Sequence, residues 1–215
     1  MPATKYLVTV ATGSHRAFLD VTRPVLEDYA SRHGYELVVP EEDPAPERTN
    51  KQWGKIACIR GLLPSCELLF WIDADAVIVD PTADIADALP RRRFLGLVEH
   101  HFLGQSVPNT GVMVVRSGRR ADRFFEELWG KTAYLEHKWG DNAAVLELLG
   151  YDFDADAVPL ACARARPTAW RRRVHFLDLA WNAMPVDMAP QPHIVHFTGA
   201  FSHEERLERL RAAVT

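Results

Sequence analysis

The sequence predicts an α/β domain built on a parallel sheet, and three observations lead there. Leu68 to Ile72 are five consecutive apolar residues, the pattern of a strand buried on both faces. Residues 6–39 read as strand, helix and strand, a βαβ unit whose strands must run parallel. The chain has 215 residues, 47% of them hydrophobic, enough for one domain with a proper core.

Composition narrows the function. A net charge of -4 argues against general nucleic-acid binding, which needs a basic surface. Cys58, Cys66 and Cys162 have no metal-type spacing, and an odd count suggests no disulfide framework, so reduced buried thiols are expected. The N-terminus runs straight into a strand-like segment without a signal-peptide apolar region. No apolar run approaches the ~20 residues that span a bilayer. These features predict a cytoplasmic protein.

In order, Tyr6–Ala11 is the first strand and Thr12–Ser14 a small turn. Phe18, Val21, Val25 and Tyr29 recur at helical spacing, with Gly34 as the C-cap. Pro24 inside that pattern predicts either a kink or a fresh start capped by Thr22. Tyr35–Val39 is the second strand, and no G-x-G-x-x-G follows the first, so the dinucleotide fingerprint is absent. Pro44, Pro46 and several charges make 41–50 a mobile, solvated connector.

A helix follows over Trp53–Leu63, with Lys51 and Lys55 near its start. After the Leu68–Ile72 strand, Asp80-Pro81-Thr82 opens a short helix to about Leu89. Phe94–Val98 is a strand, His100–Pro108 a loop and Val112–Val115 another strand. Helices are expected over Arg119–Trp129, over Asp141–Leu149 with Gly150 ending it, and over His203–Ala213. Asp152–Arg173 has no clear period and holds Arg164, Arg166, Arg171, Arg172 and Arg173, read as a solvated charge run. Val174–Leu179 and Ile194–Phe197 are short strands.

The chemistry centres on Asp73 and Asp75, two acids separated by Ala74 at the mouth of the buried strand. Buried like charges repel and lose hydration, and a hard divalent cation compensates both while leaving positions for phosphate oxygens. A strand ending in this pattern also begins phosphatases of the haloacid-dehalogenase type, where the first Asp is the nucleophile and the second a general acid. That reading wants the acids on the first strand and a later acidic pair at another strand end. Here a βαβ unit precedes them, and Gly140-Asp141 opens a helix.

Five segments occur in order: Lys51-Gln52-Trp53-Gly54-Lys55-Ile56, Trp71-Ile72-Asp73-Ala74-Asp75-Ala76, Asn109-Thr110-Gly111, Gly140-Asp141-Asn142, and His193-Ile194-Val195-His196-Phe197-Thr198-Gly199. This set resembles the fungal galactosyl- and mannosyltransferases and the plant xyloglucan xylosyltransferases, which are retaining, metal-dependent enzymes. The resemblance implies one GT-A (Rossmann-like) nucleotide-diphospho-sugar transferase domain over 1–215, with a mostly parallel mixed central sheet. Residues 1–80 would form the nucleotide-binding half and 81–215 the donor-sugar and acceptor half.

It further implies a nucleoside-diphosphate sugar as donor, UDP favoured over GDP, with Thr9, Ala11 and Thr12 under the base and ribose. Asp75 would bind the cation, Asp73 would bridge cation and ribose, Ala74 would lie between them, and His196 would complete the ligands. An imidazole suits Mn²⁺ better than Mg²⁺. On an alternating strand His193 points away from His196, so the two cannot form a clamp.

Gly199 would let the backbone approach the phosphates, and Lys55 or Arg206 would supply the phosphate charge that related enzymes take from a lysine. Asn142 would sit under the anomeric carbon, Asp141 would accept from a sugar hydroxyl, and Asn109 would contact a sugar. Trp181-Asn182 would border the groove for a small-molecule or glycan acceptor. A nucleotide-sugar binder without catalysis is the remaining alternative.

Overall fold

The computed structural model describes residues 4–154, 156–157, 161–198 and 201–214. Its elements in chain order are β1 (Lys5–Val8), α1 (Arg16–His33), β2 (Tyr35–Val38), α2 (Trp53–Leu62), β3 (Leu68–Ile72), β4 (Ala76–Ile78), α3 (Ile85–Ala88), β5 (Leu95–Phe102) and β6 (Gln105–Arg116). Then come α4 (Arg119–Trp129), α5 (Gly140–Leu149), β7 (Tyr151–Asp154), β8 (Ala161–Arg164), β9 (Val174–Leu177), β10 (Ile194–His196) and α6 (His203–Ala213).

The central sheet has the order β2-β1-β3-β6-β5-β9, and only β6 runs against the others. Two small antiparallel pairs, β10-β4 and β7-β8, flank it. β3 is central and buried at all five positions, as its composition predicts. Leu68, Phe70 and Ile72 join a core with α1, while Leu69 and Trp71 join one with α2, α4 and α5. The period-two alternation of the strand thus serves two helical layers.

α1 is one continuous helix through Pro24, so neither a restart nor a Thr22 cap occurs. The Thr22 hydroxyl is buried and donates back to the Phe18 carbonyl at 3.2 Å. Packing of Phe18, Leu26 and Tyr29 outweighs the hydrogen bond that proline cannot make. Gly34 takes the left-handed conformation at φ 70°, ending the helix where expected.

The helix predicted from Asp80 begins instead at Ile85, because Asp84 is its cap and accepts from the Ala86 N–H at 2.9 Å. The Asp80 carboxylate is spent on the Thr82 N–H and hydroxyl in a turn. The 41–50 segment is anchored: Ala45 and Arg48 are buried, and Arg48 lies 3.3 Å from the Trp129 ring centroid. That cation–π contact and an Arg48 hydrogen bond to the Trp129 carbonyl hold the segment to α4.

The predicted loop His100–Pro108 is a hairpin. β5 and β6 turn through Leu103 and Gly104, both at positive φ (50° and 74°), the two-residue geometry that matches strand twist. Leucine in place of the usual Asn or Asp hid the turn. Asp152–Arg173 likewise contains the antiparallel β7-β8 pair, and Arg164, though half-exposed, pairs with the buried Glu99. The three cysteines are free, with Cys58 and Cys162 buried. Among the described residues no helix is long and apolar enough to cross a membrane.

His100 is fully buried, and that burial, with His196 adding to it against the pull of Asp187, holds its imidazole down to about 4. The unfolded chain therefore takes up this proton first as pH falls below 6.5. The contribution is whole above that value and lost on the way down to about 4, roughly 3 kcal/mol in all. Urea unfolding at pH 7 and pH 4.5 should show His100→Leu losing less stability than the unaltered protein over that interval. Equal losses would refute it.

Candidate active site

β3 delivers two carboxylates to the edge of the sheet. The chain leaves β3 at Ile72 and turns through Asp73, Ala74 and Asp75, with the Ala76 N–H donating to the Asp73 carbonyl at 3.0 Å. β4 then pairs with β10 in a register that sets His196 opposite Ala76. The Phe197 N–H donates to the Asp75 carbonyl at 3.0 Å and fixes that approach. One ligand atom from each of Asp73, Asp75 and His196 lies within 4.8 Å of the other two.

Each acid has its own partners. Asp73 accepts from the Trp71 indole at 2.7 Å and from the Lys55 ammonium at 3.0 Å. Asp75 faces the His196 Nε2 at 3.2 Å through one oxygen and the Arg206 guanidinium at 2.8 Å through the other. Burial alone would raise the Asp75 carboxyl; His196 and Arg206 outweigh it and hold the group at about 2. The site is thus anionic and balanced by cations from two other elements. Two carboxylates and an imidazole at this spacing fit a divalent cation.

Beneath the acids lies Lys55, buried on α2. Its ammonium also reaches Asp141 at 3.5 Å, the Thr110 carbonyl at 3.1 Å and the Thr110 hydroxyl at 3.3 Å. Burial would lower the Lys55 pKa, but Asp141 and Asp73 together raise it, so it stays charged. One ammonium serves two carboxylates. Asp141, the deeper, is pushed up by burial and by Asp73 despite Lys55 and the Thr110 hydroxyl at 2.8 Å.

A break in the β5-β6 register shapes the opposite wall. Leu97 pairs with Met113 but Val98 with Asn109, so Thr110, Gly111 and Val112 bulge out between them. The Thr110 N–H donates to the Asn142 side-chain oxygen at 2.9 Å, and the Asp73 N–H donates to the Gly111 carbonyl at 2.8 Å. Gly111 must be glycine for a steric reason. A Cβ there would meet His196 Cε1 at 2.1 Å and Asn109 Oδ1 at 2.9 Å.

The structure therefore joins Lys55, Asp73, Asp75, Asn109, Asp141, Asn142 and His196 in one network of contacts, within which Asp73, Asp75 and His196 converge. Ala74 is buried in the turn. Thr12 is half-buried, Thr9 and Ala11 are buried, and the Thr9 hydroxyl has no partner. Gly199 lies outside the described residues.

Lys51 is drawn to Asp43 at 2.7 Å. Of the two candidates for phosphate charge, Lys55 is enclosed among its acids, whereas Arg206 from α6 reaches the oxygen of Asp75 that does not face His196. His193 does face away from His196: it binds Asp80 at 2.9 Å and packs on Trp181. Trp181 and Asn182 are buried, and Asn182 contacts His196. Gly111 and Asn182 are the site residues whose roles sequence reasoning missed; the Asn109-Thr110-Gly111 run was the available signal for the first.

Known proteins share parts of this sequence and its fold. The galactosyl transferase GMA12/MNN10 family matches residues 12–96, which carry the acid pair and cover less than half of the chain. A glycosyltransferase involved in the glycosylation of the major capsid of PBCV-1 has a TM-score of 0.68 at 18% identity, covering 97% of this chain and 99% of that one. The galactosyltransferase LgtC, in complex with donor and acceptor sugar analogues, has 0.59 at 11%, covering 99% and 96%. The glycosyltransferase GlyE of Streptococcus pneumoniae TIGR4 has 0.58 at 11%, covering 98% of this chain and 63% of that one. Among curated proteins no relative matches. At these identities the structures establish the fold, which is GT-A, and the chain resembles the fungal galactosyltransferase family.

Proposed function

We propose that this chain is a metal-dependent retaining glycosyltransferase that moves a sugar from a nucleoside-diphosphate sugar, UDP favoured, to a hydroxyl of a small-molecule or glycan acceptor. The observation that carries the reading is the meeting of Asp73, Asp75 and His196 with ligand atoms within 4.8 Å, at the end of a parallel strand. Those three residues would hold Mn²⁺ or Mg²⁺, and the bound cation would supply positive charge to the leaving diphosphate.

The chain's own groups would do the rest. Arg206, 2.8 Å from Asp75, stands ready to donate to a phosphate oxygen. Lys55 holds Asp73 from below through its ammonium. Asn142, oriented by the Thr110 N–H, would sit beneath the sugar, whereas Asp141, expected to accept from a sugar hydroxyl, is buried below and instead holds the Thr110 hydroxyl and Lys55. An amide is a poor nucleophile, so the departing phosphate oxygen takes the acceptor's proton. The sugar–phosphate bond breaks and the acceptor oxygen bonds the anomeric carbon on the same face.

Thermal shifts with UDP or GDP, with and without Mn²⁺, test this. UDP and Mn²⁺ together should raise the Tm by roughly 5–10 °C near 100-fold saturation, and either alone by far less. Metal-independent stabilisation by nucleotide would overturn the metal role. Metal-dependent release of sugar from the donor then separates an enzyme from a binder.

A further inference from the structure

We propose that Asn182 is a positioning residue: with Asn109 and the Gly111 N–H it holds His196 in the one tautomer that can ligate a cation. This rests on the metal-dependent reading above and assigns a new residue within it.

The chain of contacts can be read without assuming how any amide is turned. A backbone N–H can only donate, and that of Gly111 lies 2.8 Å from one side-chain atom of Asn109, which must therefore be its oxygen. That oxygen lies 2.9 Å from the side-chain amide of Asn182, and two acceptors would repel there, so Asn182 presents its NH₂ group. Its oxygen consequently faces His196 Nδ1 at 3.1 Å, and Nδ1 must carry the hydrogen. In the neutral ring this leaves the Nε2 lone pair directed at the site, 3.2 Å from Asp75 Oδ1. That same nitrogen pairs with Asp75 while no cation is bound, and it is the one a cation would share with Asp75.

The local fold makes the relay rigid. Asn182 ends a short 3₁₀ turn whose cap is Asp178, and it is fully buried. The Ala183 N–H donates to the Ile194 carbonyl at 2.9 Å and the His196 N–H to the Ala183 carbonyl at 2.8 Å, clamping this turn against β10. On its other side the imidazole lies where a Gly111 side chain would be, so the ring has contacts on two sides. Outer groups that fix a ligating histidine in this way commonly govern metal affinity.

Asn182→Leu and Asn182→Asp both stay close to asparagine in size, but only aspartate keeps an acceptor for the Nδ1 hydrogen, and as a buried carboxylic acid it can still donate its O–H to Asn109 Oδ1 as the amide does. Titrating Mn²⁺ by electron paramagnetic resonance in the presence of UDP, we expect Asn182→Asp to stay within about threefold of the unaltered protein. Asn182→Leu should bind Mn²⁺ about 10–100-fold more weakly. It should also lose more affinity for Mn²⁺ than for Mg²⁺, since imidazole distinguishes the two. Equal behaviour of the two variants, retained or lost, would overturn the proposal, because shape alone would then explain the residue.

Should Asn182→Leu fail to fold, nitrogen NMR of the unaltered protein with Mg²⁺ and UDP decides the matter. Hydrogen on Nδ1 of His196 is expected, and hydrogen on Nε2 would overturn the relay. Failure of the unaltered protein to bind Mn²⁺ and UDP at all would instead count against the metal-dependent function.

Discussion

Asp75→Asn is expected to abolish Mn²⁺-dependent UDP binding while leaving the domain folded. Asparagine keeps the shape and can still accept from Arg206, but it removes the anionic ligand on which cation binding depends. The depressed acidity of Asp75, about 2 against an ordinary 3.8, corresponds to roughly 2 kcal/mol of folded-state stabilisation by His196 and Arg206. Because the folded pKa is the lower one, that contribution is present above pH 3.8 and lost as pH falls through about 2. At neutral pH the variant should therefore lose about that amount in urea unfolding, which a domain of this size tolerates. Its Tm should no longer respond to UDP and Mn²⁺ together. A variant that kept full metal-dependent stabilisation would sink the assignment of Asp75 as a ligand.

Lys55→Met should have the largest effect on stability. Methionine fills the space of the lysine stem but leaves Asp73 and Asp141 with no ammonium between them, and Asp141 is almost wholly buried. Removing one partner of a buried ion pair costs about 3–5 kcal/mol, which here would lower the Tm by roughly 10 °C. Adding Asp141→Asn should restore part of the loss, since the amide still accepts from the Thr110 hydroxyl and carries no charge. Urea unfolding of the two single variants and the double completes the cycle. A Lys55→Met variant as stable as the unaltered protein would show that the lysine is dispensable to the acids above it.

The same two residues mark how far the sequence could be read. That Asp73 and Asp75 close a buried strand was visible in a run of five apolar residues ending in two acids. That Lys55 lies under them was not, because its partners stand 18 and 86 positions away. A lysine at a helix start has the same local appearance whether it faces solvent or two carboxylates. His196 came from a resemblance, and its approach depends on the β4-β10 register. The β5-β6 hairpin and the β7-β8 pair were missed for a different reason: Leu103-Gly104 lacks the usual turn residues, and β7-β8 is made mostly of polar and small side chains.

The sequence by itself determined the elements whose causes are local. α6 begins where Ser202 and Glu205 form a capping box, α1 stops at a left-handed glycine, and β3 is buried because every residue in it is apolar. Only the tertiary structure decided what those elements enclose. Arg206 meets Asp75 across 131 positions, and Asn182 meets Asn109 across 73. Such pairings follow from strand order, a bulge in one ladder and helices folded back over a sheet edge. Periodicity and capping act within a few residues, whereas the charges and amides of this site were matched by packing between segments with no local signal to join them.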